Sequence, residues 1–502
     1  MQVLGHNKLC AVVASSTAQG MHRQLRQALR QTPTIELRLD WLADDHQINR
    51  FLAGLKAPRL GVTLIATLRR RQAGGHYQGT IAKQLLYLAE ALGAGCQWYD
   101  LEIETVQRCP QELIDALLGG GRQLRSAHFF RRMPQNLGRI ARELKRGDPD
   151  AIKIAAQCHS LGDAWRLQRL ARRQRNLLAI PMGEAALPAR ILALRAKRGF
   201  SYAPVEQQTA PGQTSLEDLK RLYRADHMNS ATEVYGVIGD PIAHSLSPLM
   251  HNAGFRRRRM NAVYLPFLIK DLEDFLGSIR RFGIRGFSVT LPHKRAILNH
   301  LDGCDRLAAE IGAVNTVVVR GSGTLYGSNT DYVGVLGTLA RRMPLRGSRV
   351  LILGAGGAAR AVAFALAKAG SAVCVWARRW KQATGLAKAV DGEAVARRRL
   401  CHEFFDAIVN ATPVGMFPAV DRSPLEAREL NCRLVFDTIY RPRATRLLHL
   451  ASDRGIETVS GVEMFVAQGI AQWEIWTGER APAEAMRRAV LAALEREERE
   501  SR

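Results

Sequence analysis

Short apolar runs alternate with longer amphipathic stretches along the first 222 residues. Apolar runs bounded by turn residues predict strands, and apolar positions three or four apart predict helices. The strand candidates are residues 9–14, 34–39, 60–68, 98–102, 123–128, 151–155, 177–182 and 200–202. Eight strand–helix units in residues 1–222 predict a (β/α)8 barrel, a fold of usually about 250 residues. Two stacked open α/β sheets are the alternative that this pattern leaves open.

A polar segment without periodicity separates this half from the next. It runs over residues 224–232, and we place the linker at residues 223–233. A second α/β series follows, in which residues 349–369 predict a buried strand, a sharp glycine turn and a helix. The chain is therefore expected to be an α/β protein of several domains.

Composition excludes some classes of protein without identifying a function. The hydrophobic share of 47% and the charged share of 24% are those of a globular protein and argue against disorder. The longest nearly apolar run, residues 361–377, contains Lys368 and is too short to span a bilayer. The N-terminus has no signal-peptide pattern, and the eight cysteines have no zinc-like spacing. We therefore expect a soluble cytoplasmic protein with free thiols and no metal.

The chain is strongly basic, with 72 Lys and Arg against 46 Asp and Glu and a net charge of +26. Such a charge suits nucleic acid, an anionic membrane or small acidic metabolites. The arginine clusters at residues 256–259 and 397–399 lack the interleaved aromatic residues that stack bases. We expect neither nucleic acid nor membrane as a partner. A nucleic-acid or scaffold protein that reuses these folds is the alternative from another class.

Residues 349–360 carry a dinucleotide-binding pattern. Gly354, Gly356 and Ala359 fit G-x-G-x-x-G/A between a strand and a helix, and a second strand follows at residues 372–377. Glycines allow close approach to a pyrophosphate, and the helix N-terminus supplies amide donors. A tight turn in an unrelated sheet is the alternative. The candidate cofactor ligands in the turn are Gly354, Ala355, Gly356, Gly357 and Ala358.

The end of the second strand indicates which dinucleotide is bound. An acidic residue there would bind the ribose hydroxyls of NAD, but this chain has Arg378 and Arg379. A guanidinium group suits the 2′-phosphate of NADP, because its planar fork matches phosphate oxygens. We predict NADP as the cofactor, with a solvated basic turn as the alternative.

Ordered polar clusters surround this unit. They are Ser245–Pro248, Thr290–Lys294, Gly312–Thr316, Gly327–Asp331, Asn410–Met416, Asp437–Tyr440 and Gly461–Gln468. Each by itself is explained by turn or cap chemistry. Their ordered co-occurrence over residues 234–495 resembles the shikimate dehydrogenase family. The resemblance implies a substrate-binding domain at 234–340, a Rossmann-like NADP-binding domain at 341–465, and C-terminal helices at 466–502 that pack back on the substrate domain.

The same resemblance implies the roles of individual residues. Lys294 and Asp331 carry proton transfer, which is chemically reasonable because hydride delivery to a ketone creates an alkoxide that needs a proton donor. An ordinary surface ion pair is the alternative for these two residues. The resemblance also implies that Ser245 and Ser247 hold the substrate carboxylate and that Tyr440 closes the pocket. The residues implied to bind the ring hydroxyls are Thr290, Asn315, Asp331 and Gln468.

Lys153 interrupts an apolar run on a predicted strand of the first half. A lysine in such a run is costly unless it is paired or functional, and a neutral amine can attack a carbonyl group to form an imine. A solvent-facing lysine on an edge strand is the alternative. Glu36, Arg38 and Asp40 alternate along another strand, which places all three on one face. In a barrel that face can point inward near the catalytic end.

Further polar residues fall on or beside the strand candidates, among them Arg69, Asp100, Glu102 and His128. With Lys153, they resemble the type I 3-dehydroquinate dehydratase family over residues 8–222. The resemblance implies that Lys153 forms a Schiff base, that His128 moves the protons, and that Arg190 clamps the carboxylate. The remaining residues implied to contact hydroxyls or orient the lysine and histidine are Glu36, Arg38, Arg69, Thr209 and Gln213.

Some positions depart from that family. Ala73 stands where the family has an acidic residue, and Phe129 where it often has aspartate. Ala186 and Ala189 replace an expected glycine and serine. Such losses loosen the groups that orient a catalytic histidine, at a cost of about 10–100-fold in rate. We expect an active dehydratase; an impaired domain beside an active dehydrogenase is the alternative.

Together the two resemblances predict a bifunctional enzyme of aromatic amino acid (chorismate) biosynthesis. It would dehydrate 3-dehydroquinate to 3-dehydroshikimate and reduce this with NADPH to shikimate. The expected partners are these small carboxylates, and a homodimer is the candidate assembly.

Overall fold

The computed structural model describes residues 8–56, 60–206, 212–321 and 323–500. The chain divides into two compact units, residues 1–232 with 267–283 and residues 233–266 with 284–502. Thr209, one of the predicted substrate ligands, lies outside the described residues. Within the described ranges, no helix combines the length and the apolar character needed to cross a membrane.

The first unit is a near-closed barrel of eight parallel strands. The first seven strands pair in chain order and the eighth pairs with the first, while the described residues show no pairing between the seventh and the eighth. This pairing excludes the open-sheet alternative and confirms the predicted barrel. The strands are Leu9–Val13, Thr34–Arg38, Thr63–Thr67, Trp98–Glu102, Arg122–Phe129, Ala151–Gln157, Leu177–Met182 and Ser201–Pro204.

Helices connect the barrel strands, and several begin at a side-chain cap. The side chains of Thr17, Asp44, Thr80, Ser160 and Ser215 each accept a hydrogen bond from an amide of the first turn. The helices of this unit are Ala18–Leu29, Asp45–Gly54, Ile81–Gly93, Ile103–Val106, Gln111–Leu118, Leu137–Leu144, Leu161–Arg173, Leu187–Ala193, Leu216–Arg221 and Leu272–Phe282.

The interior of the barrel changes character along the strands. Toward the amino ends it is apolar, with Trp98, Leu124 and Leu178 in one buried cluster. Because successive strand residues point to opposite faces, Asp100 follows Trp98 into the interior and Ser126 follows Leu124. The alternation along the strands therefore places charged side chains in the barrel interior near the carboxyl ends, next to the apolar cluster.

The second unit is built on two six-stranded sheets. One is mixed, in the order Ala262–Leu268, Glu233–Gly239, Ile284–Val289, Thr316–Val319, Leu325–Ser328 and Gly303–Cys304. The other is parallel, with buried apolar clusters on both faces, as expected when helices cover a doubly wound sheet. Its order is Glu393–Ala394, Ala372–Trp376, Arg349–Leu353, Phe405–Asn410, Cys432–Asp437 and Glu457–Val459. The predicted Rossmann-like architecture is confirmed.

The last helices of the chain fold back on earlier ones. Helix Val462–Thr477 packs against Asp331–Leu339, and helix Ala483–Glu500 packs against Ser247–Arg257. The other helices of this unit are Arg306–Ile311, Gly357–Lys368, Trp380–Ala389 and Arg446–Ser452.

Trp473 anchors this packing. Its side chain is fully buried, its ring lies 4.8 Å from that of Phe255, and it packs against Gly254 so closely that a Cβ there would lie 2.6 Å from the ring. The indole N–H has no hydrogen-bond partner in the described part of the chain.

Replacing Trp473 by alanine is expected to destabilise the second unit by about 3–5 kcal/mol, because a large cavity remains. Trp473→Phe should cost much less, since no hydrogen bond is lost. Hydrogen exchange of peptides from helix Val462–Thr477 under increasing urea measures the difference. Ile475→Ala, at a partly exposed site on the same helix, is the control. Equal costs for the alanine and phenylalanine variants would contradict the cavity argument.

Candidate active sites

Lys153 lies inside the barrel and is only 3% exposed. Its Nζ contacts the carboxylate of Asp100, lies 3.4 Å from Oε1 of Glu36 and sits 4.9 Å from the centroid of the Tyr202 ring. The alternative of a solvent-facing edge lysine is wrong, because the strand is internal to the sheet. Lys153 is thus a buried cation with two anionic neighbours.

Asp100 is the centre of this cluster. Its carboxylate accepts hydrogen bonds from Arg69 at 2.8 Å and from the Ser126 hydroxyl at 2.5 Å, in addition to Lys153. Burial alone would raise the pKa of Asp100, but Arg69 and Lys153 hold it below its usual value. The group is therefore ionised. Glu36, in turn, accepts a hydrogen bond of 3.0 Å from the Thr67 hydroxyl.

The importance of Asp100 was not predicted. Sequence reasoning placed Asp100 on the strand candidate 98–102 without assigning it a role. The signal was present, because Asp100 and Glu102 stand two apart in a strand, as Glu36 and Arg38 do. Tyr202, whose ring lies against the lysine, carries no comparable signal.

His128 lines the same cavity as Lys153 and Glu36. Its ring lies parallel to that of Phe130, with centroids 6.0 Å apart and an interplanar angle of 15°. Burial, together with the nearby cations Arg69 and Lys153, lowers the pKa of His128 well below its usual value. The imidazole is therefore neutral and able to accept a proton. Its Nδ1 has no hydrogen-bond partner among the described residues.

Arg38, Arg69 and Gln213 also line this cavity, whereas Arg190 is bonded to Tyr202, one of the lining residues. Arg38 forms a two-pronged ion pair with Asp40, at 2.9 and 2.8 Å. Arg190 donates to the carbonyls of Gly212 and Tyr202, and burial lowers its pKa to about 10. The residues lining the cavity are Val12, Glu36, Arg38, Arg69, Gly74, His128, Phe130, Lys153, Ala155, Ile180, Met182, Tyr202 and Gln213.

The substituted position Ala73 lies in a tight turn next to this cavity. Gly74 follows it with φ of +78°, and a Cβ there would lie 2.1 Å from the Phe130 ring. Glycine is therefore required for both the turn and the ring. Ala73 offers no carboxylate to His128, and Phe129 ends the histidine strand half-buried. The orientation of His128 comes from packing rather than from an acidic side chain among the described residues.

A second lysine–carboxylate pair lies in the second unit. Lys294 Nζ is 2.6 Å from Oδ2 of Asp331, and the side-chain amide of Asn315 donates to Oδ1 at 2.8 Å. The side chain of Lys294 is 16% exposed and that of Asp331 only 6%. This is not the ordinary surface pair that the sequence left open.

The two serines predicted to bind the carboxylate lie near Tyr440, which is predicted to close the pocket. Burial raises the pKa of the Tyr440 hydroxyl, while the nearby Leu246 amide and Ser245 side chain lower it. The Ser247 amide is 3.3 Å from the Ser245 hydroxyl. The ring of Tyr440 stacks on Phe465 at 4.0 Å.

Thr290 and Gln468 occupy other positions in the same unit. The backbone amide of Thr290 donates to the carbonyl of Ile238, and its methyl group lies against Gly239. The Gln468 side chain donates to the carbonyl of Phe465 at 2.8 Å, so its amide is bonded to its own helix.

Sequence reasoning missed a buried network that supports Asp331. Gln472 accepts from the Ser288 hydroxyl at 2.8 Å and donates to the Thr316 hydroxyl at 3.1 Å. Thr316 donates to Oδ1 of Asn315 at 2.7 Å, and Asn315 holds Asp331. A signal was available, since Gln472 follows Gln468 by one helical turn and shares its face.

The glycine turn lies beside the second lysine. Gly354 has φ of +112°, helix Gly357–Lys368 follows, and a Cβ on Gly357 would lie 3.2 Å from that of Lys294. Apart from its two chain neighbours, no other heavy atom of the described residues lies within 4 Å of the Cβ position of Gly356, so a pyrophosphate can approach the backbone there. Ala355 and Ala358 complete the turn.

Two exposed cations follow the neighbouring strand. Arg378 and Arg379 come directly after strand Ala372–Trp376, which pairs with the strand that leads into the glycine turn. These residues fit a dinucleotide with an additional phosphate. In the described part of the chain, no group of three or more His, Cys, Asp or Glu side chains is placed to hold a metal ion.

Comparison with known proteins gives matches over both units. Residues 9–230 match the family type I 3-dehydroquinase, residues 237–317 the shikimate dehydrogenase substrate binding domain, and residues 461–491 the shikimate 5′-dehydrogenase C-terminal domain. The chloroplastic bifunctional 3-dehydroquinate dehydratase/shikimate dehydrogenase of Arabidopsis thaliana is 33% identical over 474 residues, 90% of this chain and 78% of that protein.

Other similar proteins cover the second unit. The shikimate dehydrogenase (NADP(+)) of Symbiobacterium thermophilum is 43% identical over 282 residues, 52% of this chain and 95% of that protein. The crystal structure of shikimate 5-dehydrogenase from Thermus thermophilus, in complex with NADP(H) and shikimate, is 39% identical, with a TM-score of 0.49. It covers 52% of this chain and 100% of that one.

Neutralising Asp100 is expected to destabilise the first unit. Asp100→Asn leaves Lys153 and Arg69 buried without their shared anion, which should cost about 3–5 kcal/mol of unfolding free energy. Adding Lys153→Met should recover part of that cost, and urea denaturation of the four proteins of the cycle measures the coupling. Glu112→Gln, on an exposed helix face, is the control. Strict additivity would contradict the pairing.

Proposed function

Because the chain belongs to the family of bifunctional 3-dehydroquinate dehydratases/shikimate dehydrogenases, we propose which of its residues carry out each reaction. The enzyme dehydrates 3-dehydroquinate to 3-dehydroshikimate and reduces this to shikimate with NADPH. One observation carries the assignment: each half holds a lysine against a carboxylate, Lys153 beside Asp100 and Lys294 beside Asp331.

In the first reaction Lys153 is the nucleophile. After losing one proton, its amine attacks the ketone carbon of 3-dehydroquinate, and water leaves as the C=N bond forms. Asp100 and Glu36 lie beside the nitrogen and stabilise the cationic iminium that follows. Hydrolysis of the imine later frees 3-dehydroshikimate and restores the amine.

His128 moves the protons of the elimination. Its neutral imidazole removes the proton from the carbon next to the iminium, and the C–H electron pair passes into the enamine. That electron pair then expels the neighbouring hydroxyl, which takes the proton from His128 and leaves as water. The low pKa of His128 supports this role, since the base is unprotonated before each turnover.

Binding roles in the dehydratase go to the charged residues around the cavity. Arg190, buried beside Tyr202 and Gly212, binds the ring carboxylate. We assign contacts to the ring hydroxyls, or the orientation of Lys153 and His128, to Glu36, Arg38, Arg69 and Gln213, which line the cavity, and to Thr209, which lies outside the described residues.

In the second reaction Lys294 is the proton donor. When bound, NADPH supplies a hydride to the ketone of 3-dehydroshikimate. The Lys294 ammonium donates a proton to the resulting alkoxide, while Asp331 holds that ammonium in place at 2.6 Å. Asn315 keeps Asp331 oriented. The remaining substrate ligands are Ser245, Ser247 and Tyr440 for the carboxylate, and Thr290, Asn315, Asp331 and Gln468 for the ring hydroxyls.

The nicotinamide dinucleotide is held by the glycine turn and the two arginines. The backbone of Gly354–Ala358 receives the pyrophosphate, because the first amides of the following helix point outward there. Arg378 and Arg379 bind the 2′-phosphate and so favour NADP over NAD.

We also propose a cellular compartment and an oligomeric state for this protein. All eight cysteines lie in the described part of the chain and are free thiols, which supports a reducing compartment such as the cytoplasm. A homodimer is the proposed assembly, to be tested by light scattering.

The two lysines are expected to separate the two activities. Lys153→Ala should abolish the dehydration of 3-dehydroquinate and leave the reduction of 3-dehydroshikimate unchanged, because the imine cannot form. Lys294→Ala should slow only the reduction, by about 10²–10⁴-fold. Absorbance at 340 nm with NADPH and 3-dehydroshikimate measures the reduction, and ultraviolet absorbance of the product measures the dehydration, so both activities are read independently in each variant.

Borohydride trapping tests the imine directly. In the wild-type protein it should attach substrate to Lys153 during turnover, as read by mass spectrometry. Dehydration that persists in Lys153→Ala, or an unmodified Lys153 in the wild type, would refute the dehydratase assignment.

The dehydratase is also expected to keep working in mild acid. A base with a lowered pKa stays unprotonated to lower pH, so the acid limb of kcat/KM should lie below the usual histidine value of about 6.5. Arg69→Gln removes a neighbouring cation and should move that limb to higher pH. A limb at or above pH 6.5 in the wild type, measured by ultraviolet absorbance of the product, would contradict the argument.

A further inference from the structure

Arg441 follows Tyr440 directly and makes contacts that neither reaction uses. Its Nη1 donates to the carbonyl of His244 at 3.0 Å, and its Nε lies 2.8 Å from the Glu497 carboxylate. The guanidinium group also lies 5.1 Å from the ring centroid of Phe417. The side chain is thereby held in three directions.

These contacts attach an exposed loop to the segment that carries Tyr440. His244 stands immediately before Ser245, between strand Glu233–Gly239 and the helix that begins at Ser247. The His244 ring meets Phe417 edge-on at 4.8 Å, and the Phe417 amide donates to the Arg441 carbonyl at 3.2 Å. The loop is therefore held by a hydrogen bond to the His244 carbonyl and by packing of the His244 ring on Phe417.

The separation of these two segments matters at the hydroxyls. The Ser247 amide lies 3.3 Å from the Ser245 hydroxyl on the loop that Arg441 contacts, and the ring of Tyr440 stacks on Phe465 at 4.0 Å on the other segment. A hydrogen bond weakens steeply once its heavy atoms are more than about 3.2 Å apart. A small shift of the loop relative to the Tyr440 segment would therefore weaken the hydrogen bonds from all these donors at the same time.

We propose that Arg441 is a positioning residue for recognition of the ring carboxylate by the dehydrogenase. Its guanidinium clamps the loop of Ser245 against the Tyr440 segment, so that neutral donors from both converge on one carboxylate. The proposal rests on the proposed function of those donors. A planar fork can serve His244 and Glu497 simultaneously, whereas a lysine ammonium on a flexible stem cannot reproduce that geometry.

The test compares Arg441→Lys and Arg441→Met with the matched control Arg443→Met, an exposed arginine two residues on. Steady-state kinetics on the full-length protein give KM for 3-dehydroshikimate and for NADPH. Calorimetry gives Kd for shikimate and for its uncharged methyl ester. Both Arg441 variants should raise KM for 3-dehydroshikimate and Kd for shikimate roughly tenfold. KM for NADPH should stay within about twofold, and the ester should be affected less than shikimate.

The outcomes separate the proposal from its premise. A wild-type protein that fails to reduce 3-dehydroshikimate overturns the proposed function and this role together. An active wild type with variants that behave like it overturns the positioning role alone. If Arg441→Lys matches the wild type while Arg441→Met does not, charge suffices and the clamp is wrong. An equal rise in KM for 3-dehydroshikimate and for NADPH also overturns the positioning role, because it indicates a general loss of structure in the second unit. A KM for NADPH near the wild-type value checks that the second unit is folded, and the lysine variant decides if the methionine variant does not fold.

Discussion

The ammonium group of Lys153 lies in the barrel interior above an apolar floor, where a charge without a counter-ion would be strongly destabilising. Asp100 and Glu36 balance it, and Arg69 and Ser126 satisfy the remaining oxygens of Asp100. Each member of this cluster comes from a different strand or strand end. The cluster forms only when the sheet curves enough to bring those strands around one axis, so the chemistry and the closure of the barrel depend on each other.

The second unit meets the same electrostatic requirement in another way. Lys294 is partly exposed, and Asp331 begins a helix instead of lying on a strand. This suits a group that exchanges a proton with solvent in each turnover, whereas the enclosed Lys153 suits a covalent attachment from which water must be excluded. The buried amide–hydroxyl network through Gln472 then fixes Asp331 through Asn315 without adding a charge.

The two sites explain the strong positive charge of the chain. The substrates are carboxylates and the cofactor carries several phosphates, so a positive field raises their local concentration. Burial depresses the pKa of His128, and two of the positive charges, on Arg69 and Lys153, depress it further. The imidazole therefore stays neutral, and Ala73 and Phe129 add no carboxylate that would raise its pKa.

The linear sequence determined the barrel, the parallel sheet and the glycine turn, because strand alternation, helix periodicity and glycine spacing are local properties of the chain. It also predicted Lys153, His128, Lys294 and Asp331 as catalytic residues, through the resemblance of ordered motifs. The tertiary structure alone showed that Asp100 is the partner of Lys153, that Gln472 supports Asn315, and that Arg441 joins the loop of Ser245 to Tyr440. These pairings join residues 53, 157 and 197 positions apart. No local pattern encodes such distances, because burial and distance depend on how the whole chain closes.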